Sequence, residues 1–195
     1  MILPVIASGS PILRKVGIDI DKDYPNLAEL IENMEETMVN AQGVGLAAPQ
    51  IGKAIRLFLV DTSPFGADDE LEENEREFLS EFKKVFINAK MLKEEGEEWA
   101  FNEGCLSIPD VREDVFRKER ITIEYFDENF EKHTDVIDGI AARVVQHEYD
   151  HIEGILFTDK ISSLKKRLIK KKLENISKGK VNTDYRMKFP LLKRK

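Results

Sequence analysis

Two of the three histidines in this 195-residue chain stand four residues apart, in Gln146-His147-Glu148-Tyr149-Asp150-His151. The stretch 139–152 around them has helical spacing and is stopped near Gly154. Residues four apart lie on one helix face, so both imidazoles can reach a single metal ion. On a helical wheel Ile140, Val144, His147 and His151 fall within about 60° of one another. A metal held by the pair would sit beside an apolar stripe, as a pocket floor requires; an exposed helix with two unrelated histidines has no use for that stripe. Glu148, one position along from the first imidazole, can take a proton from water there and act as general base.

A catalytic site of the zinc type keeps three protein ligands and one open position. Two residues compete for the third place. His133 lies in Glu131-Lys132-His133-Thr134-Asp135, which reads as an exposed strand face. Cys105, the only cysteine, lies between Glu103-Gly104 and Leu106-Ser107-Ile108-Pro109. A thiolate is a strong, charge-neutralising ligand for a divalent ion, and Gly104 permits close backbone approach, so Cys105 is the better candidate. The other reading of a lone cysteine is a small buried hydrophobe. One cysteine excludes an intramolecular disulfide and fits a reducing cytoplasm. A third segment, Gly43-Val44-Gly45-Leu46-Ala47-Ala48-Pro49-Gln50, places two glycines where a backbone can meet a ligand closely. Alone it reads equally well as a helix C-cap and loop, and it lacks the later glycine and Lys-Ser/Thr of a phosphate loop.

The rest of the chain sets the fold class. The spacing of Leu27, Leu30, Ile31, Met34, Met38 and Ala41 predicts a helix over 25–41. Residues 55–60, 84–94, 120–126 and 130–137 are strand-like, with a turn at Asp127-Glu128-Asn129. The acidic stretch 67–81 reads as a solvated insertion. Residues 162–176 read as a basic amphipathic helix docking through Leu164, Leu168 and Leu173. Strands in runs, rather than alternating with helices, argue α+β. No apolar run approaches the roughly 20 residues that span a bilayer, and no secretory signal opens the chain.

Together the three segments resemble the motifs of the peptide deformylases, in family order and at family-like spacing. The similarity covers about residues 1–165 and includes Pro11-Ile12-Leu13-Arg14 near the start. The chain differs from the commonest short forms in its acidic insertion near 66–82 and in Arg143. The resemblance implies an α+β fold with antiparallel sheets packed around a central helix that carries the His-Glu-x-x-His motif. It implies removal of the N-formyl group from the initiator methionine of nascent bacterial polypeptides. It implies one divalent ion, Fe(II) in the cell, with Zn, Ni or Co as substitutes, held by Cys105, His147 and His151. By the same resemblance Gln50 and the Leu106 N–H stabilise the oxyanion, and Gly45 and Val44 bind the peptide backbone. Ile140 and Val144 line the methionine pocket beside Gly43. Arg143 either closes the rim of that pocket or is solvated.

Charge divides the chain near the point where that similarity ends. Residues 160–195 hold fourteen Lys and Arg against Glu174 and Asp184, a net +12. Residues 1–159 hold 16 bases and 35 acids, a net −19. The reading is a catalytic body over 1–165 and a basic C-terminal helix and tail over 166–195, and the tail is expected to meet the polyanionic ribosome. Two rivals share parts of the pattern. A general metalloprotease has His-Glu-x-x-His but not a cysteine ligand, and an RNA-binding factor with a structural metal would want four protein ligands.

Overall fold

The computed structural model describes residues 1–192. Its centre is the helix that carries the histidine motif, α3 (Gly139–Ile152), with the bounds its spacing predicts. Nearly every residue of α3 is buried. Ala141, Ala142, Val145 and Ile152 pack against Phe58, Phe86, Ile121 and Ile123 of the sheet, and the two alanines let the sheet come close.

That sheet has five strands, all antiparallel, in the order β2 (Gly45–Ala47), β3 (Leu57–Asp61), β4 (Lys83–Cys105), β5 (Ile108–Phe126), β6 (Lys132–Asp138). The hairpin of β4 and β5 is far longer than the segments 84–94 and 120–126 suggest. The stretch between them is rich in charge, and its inward face is marked only by spaced residues such as Trp99, Phe101, Val111 and Val115. Breaks of register between Ile87 and Lys90, Met91 and Lys93, and Glu95 and Glu98 bend the ladder. The hairpin carries Cys105 at its tip, beside α3.

Helix α1 (Leu27–Asn40) starts two residues later than its spacing suggests, because Asn26 adopts the left-handed region. Leu30, Met34 and Met38, at helical spacing, pack on Leu46, Leu57, Leu59 and Ile87. The acidic stretch is not a solvated insertion. It forms a 3-10 turn (Ser63–Ala67) and a helix, α2 (Glu73–Glu81), that docks Leu79 into the main core with 1% of its surface exposed. The Thr62 hydroxyl donates to the Leu79 carbonyl at 2.7 Å. The run of acids on the solvent side masks this single anchor in the sequence.

Helix α4 (Ser163–Ser177) begins at Ser162, whose hydroxyl accepts the Lys165 N–H. It docks through Ile169, Leu173 and Ile176 onto Ala7, Ile108, Val115 and Phe157. Leu164 and Leu168, expected to dock, are 61% and 70% exposed. They lie about 100–140° around the helix from Ile169, off its inward stripe. The chain then turns back, and β7 (Met187–Lys188) pairs in parallel with β1 (Val5–Ile6). Residues 193–195, the end of the basic tail, lie outside the described residues. Among the described residues no helix is long and apolar enough to cross a membrane.

If Leu79 anchors α2, Leu79→Ala will lower stability by about 3 kcal/mol and the melting temperature by roughly 6–12 °C. Thermal unfolding checks this; a solvated insertion would tolerate the change without loss.

Candidate metal centre

Cys105, His147 and His151 converge, each offering a ligand atom, all within 4.8 Å of one another. The helix supplies the imidazoles one turn apart, and the hairpin tip delivers the thiol across from them. Cys105 Sγ lies 3.3 Å from His151 Nε2. Sulfur and nitrogen ligands of one tetrahedral ion would stand about 3.6 Å apart, so the donor set fits a divalent metal. Burial, the largest cause, pushes His151 well below its usual pKa. It is therefore neutral, the form that offers a lone pair. His133 lies away from the cluster, paired with Asp127 at 2.8 Å.

His147 is oriented from behind. Its Nδ1 donates to Glu103 Oε2 at 2.9 Å, which leaves Nε2 for a metal. Glu103 is buried and also accepts Arg117 Nε at 2.7 Å, Arg117 Nη2 at 2.9 Å and Arg143 Nη1 at 3.2 Å. Burial alone would raise its pKa, but the hydrogen bonds of Arg117 and His147 and the charge of Arg117 hold it well below the usual carboxylate range. Arg117 also donates to Asp150 at 2.6 Å. The sequence shows Glu103 as a flank of Cys105 without revealing this hub, and nothing in it singles out Arg117.

Glu148 sits against β2 and the cluster. A Cβ at Gly45 would overlap its carboxylate, so only glycine lets β2 pass there. Burial, reinforced by the charges of Glu103 and Asp150, pushes the Glu148 carboxyl up to about 7. Its Oε2 is buried without a hydrogen-bond partner among the described residues. A general base works best with a pKa near the operating pH. Gln50 Oε1 accepts the Ala47 N–H at 2.7 Å, which turns its amide nitrogen toward Cys105 Sγ at 3.5 Å and Ser107 Oγ at 3.4 Å.

Beside the cluster opens a cavity of about 490 Å³. Gly43, Val44 and Val144 stand on its wall with Phe65 and Phe101, two aromatics the sequence does not mark. Ile140 is not on that wall; it is buried in the main core. Arg143 lines the cavity but does not meet solvent. It is 1% exposed, donates to the carbonyls of Trp99 at 2.7 Å and Val115 at 3.1 Å, and lies over the Trp99 ring at 4.5 Å. Glu103 supplies the counter-charge that lets a guanidinium be buried there.

Activating water takes an ion, a base beside it and a closed-in cavity for the substrate; this centre, on this frame, is that of a metal-dependent hydrolase. Relatives narrow the class. The sequence model of the family described as Polypeptide deformylase matches residues 2–167. A peptide deformylase of Christiangramia forsetii is 66% identical over the whole of this chain and 99% of its own length. One from Flavobacterium johnsoniae is 65% identical over the same shares. The crystal structure of a peptide deformylase from Legionella pneumophila superposes with a TM-score of 0.78 at 32% identity, covering 92% of this chain and 98% of that one. The chain belongs to the peptide deformylase family, metal-dependent enzymes that remove the N-formyl group from the initiator methionine of new polypeptides.

Replacing Glu103 by Gln keeps its size but removes the counter-charge of two buried arginines. Glu103→Gln is expected to cost about 3 kcal/mol of stability and to weaken metal binding roughly 10–100-fold. Thermal unfolding and competition with a chelator measure the two effects separately.

Proposed function

We propose that Cys105, His147 and His151 hold one divalent ion, Fe(II) in the cell with Zn, Ni or Co as substitutes, and that Glu148 is the base of the deformylation. The observation that carries this reading is the convergence of the three donor atoms beside the buried Glu148 carboxyl, whose Oε2 has no hydrogen-bond partner among the described residues. A divalent ion supplies Lewis acidity, which lets water attack near neutral pH.

Strand β2 is an edge strand, paired among the described residues only with β3. A formyl-methionyl peptide adds along it, with the backbones of Val44 and Gly45 as partners. The methionine side chain enters the cavity beside Gly43 and Val144, with Arg143 stiffening the wall and Ile140 packing behind it. Glu148 takes the proton of the attacking water. As the formyl carbon becomes tetrahedral, its oxygen gains negative charge, which the Gln50 amide and the Leu106 N–H meet as preorganised donors, each worth roughly 3 kcal/mol. Glu148 then returns the proton to the leaving nitrogen, and formate and the free amine depart.

Residues 1–165 act as the catalytic body in this reading, and 166–195 as a basic helix and tail that brings the enzyme to the ribosome in the cytoplasm. Lys170, Lys171 and Lys172 stand exposed on α4, within residues 160–195, whose net charge is +12. Ribosomal RNA is the polyanion a deformylase of nascent chains would meet, and such binding weakens steeply as salt rises.

Two sets of variants test this. Cys105→Ala should lose the metal, whereas Glu148→Ala should keep it and lose at least about 100-fold in formate release; elemental analysis and an assay on a formyl-Met peptide separate the roles. Neutralising Lys170, Lys171 and Lys172 to Gln should leave peptide turnover intact while weakening co-sedimentation with ribosomes and flattening its salt dependence. An unchanged sedimentation series would remove the tail from this role.

A further inference from the structure

The turn that carries Cys105 is not one that holds itself. Cys105 pairs with Ile108, so Leu106 and Ser107 form a two-residue hairpin loop. Loops of that length favour turns with positive φ at one or both central residues, because their twist matches the strands; other turns splay the strands apart. Neither Leu106 nor Ser107 has a positive φ. The ladder is also irregular just before the tip, between Gly104 and Cys105.

Besides the side-chain contacts of Gln50 and His151, two bonds from outside the hairpin hold the backbone carbonyls of the tip. The Ser8 N–H donates to the Ser107 carbonyl at 2.8 Å. The Tyr185 hydroxyl donates to the Leu106 carbonyl at 2.8 Å. Both come from one belt around the molecule, made of the two ends of the chain. Val5 N–H donates to Arg186 at 2.9 Å and Ala7 N–H to Lys188 at 3.0 Å. The Thr183 hydroxyl donates to the Tyr185 carbonyl at 2.9 Å and shapes the bend that presents the ring. Tyr185 lies beyond residue 167, where the match to the family's sequence model ends.

We propose that Tyr185 is a positioning residue for deformylation: by holding the Leu106 carbonyl it fixes the Leu106–Ser107 peptide, and through that turn the direction of the Leu106 N–H. The inference rests on reading that N–H as a donor to the oxyanion. Oxyanion donors act through preorganisation, so a turn free to splay would weaken the transition state more than the bound substrate.

The test is Tyr185→Phe in the full-length, metal-loaded enzyme, which keeps the ring and deletes the bond. The expected result is a fall in kcat of about five- to tenfold with KM for a formyl-Met peptide within about twofold. Metal content stays unchanged, and amide hydrogen exchange quickens at 104–108 but not in α3. Arg186→Ala, which removes only a 3.4 Å bond from its side chain to the Ile2 carbonyl, should keep kcat. A Tyr185→Phe enzyme with normal kcat and normal exchange at the tip overturns the proposal. Faster exchange at the tip with normal kcat overturns it through the Leu106 reading. A loss of kcat with faster exchange throughout α3 also overturns it, since the bond would then serve only general stability. Formate release by the unaltered enzyme in the same series tests the deformylase activity independently of these outcomes.

Discussion

The carboxylate of Glu103 joins the two halves of the centre. It reaches from the hairpin that bears Cys105 to the helix that bears the imidazoles, accepting from His147 on one side and from Arg117 and Arg143 on the other. A lone buried charge would be ruinous here. The group works because Glu103 and Asp150 balance Arg117 and Arg143, all four at least nine-tenths buried, and because the hydrogen bonds are nearly saturated. One consequence is chemical. With Nδ1–H committed to Glu103, His147 has one tautomer to present, and its free nitrogen faces the thiol and the second imidazole. A second consequence is mechanical, since hairpin and helix cannot slide past one another without separating paired charges.

Absent side chains do as much as the charged ones. A Cβ at Gly43 would come within 2.8 Å of Leu106 Cδ1, and one at Gly45 would strike the Glu148 carboxylate. The first glycine brings the hairpin tip against the approach to β2, and the second brings β2 against the base. In the proposed binding mode, a peptide laid on that edge strand has its scissile end beside Glu148, Gln50 and the turn at Leu106. The glycines that read from sequence as a place for a ligand are, in the folded chain, also where the Leu106 and Glu148 side chains press against the backbone.

The parts of this molecule legible in its sequence are those where one residue pattern meets one local rule. Helix α3 is legible because apolar spacing and His-Glu-x-x-His coincide over 139–152. Cys105 is legible because a pair of imidazoles wants a third donor. The outer half of the β4–β5 hairpin is not, because its Glu, Lys and Arg residues hide an inward face carried by few apolar side chains. Helix α2 hides behind its acids for the same reason. Arg143 misleads because its buried state depends on Glu103, forty residues earlier, and on two carbonyls of the hairpin. Leu164 and Leu168 mislead because an i, i+4 pair looks like a docking face, whereas the face is set by Ile169, Leu173 and Ile176. Long-range pairing decides all of these, and no local window contains it.

The parallel pairing of Val5 with Met187 closes nearly the whole chain into a loop. Contacts so distant in sequence are the slowest to form, since loop-closure entropy must be met before they contribute. During its own synthesis, then, this enzyme can assemble its sheet and central helix while the last residues are still inside the ribosome. The belt that grips the cysteine turn cannot close until they emerge. The Tyr185 bond to the Leu106 carbonyl is therefore among the last contacts the fold can make.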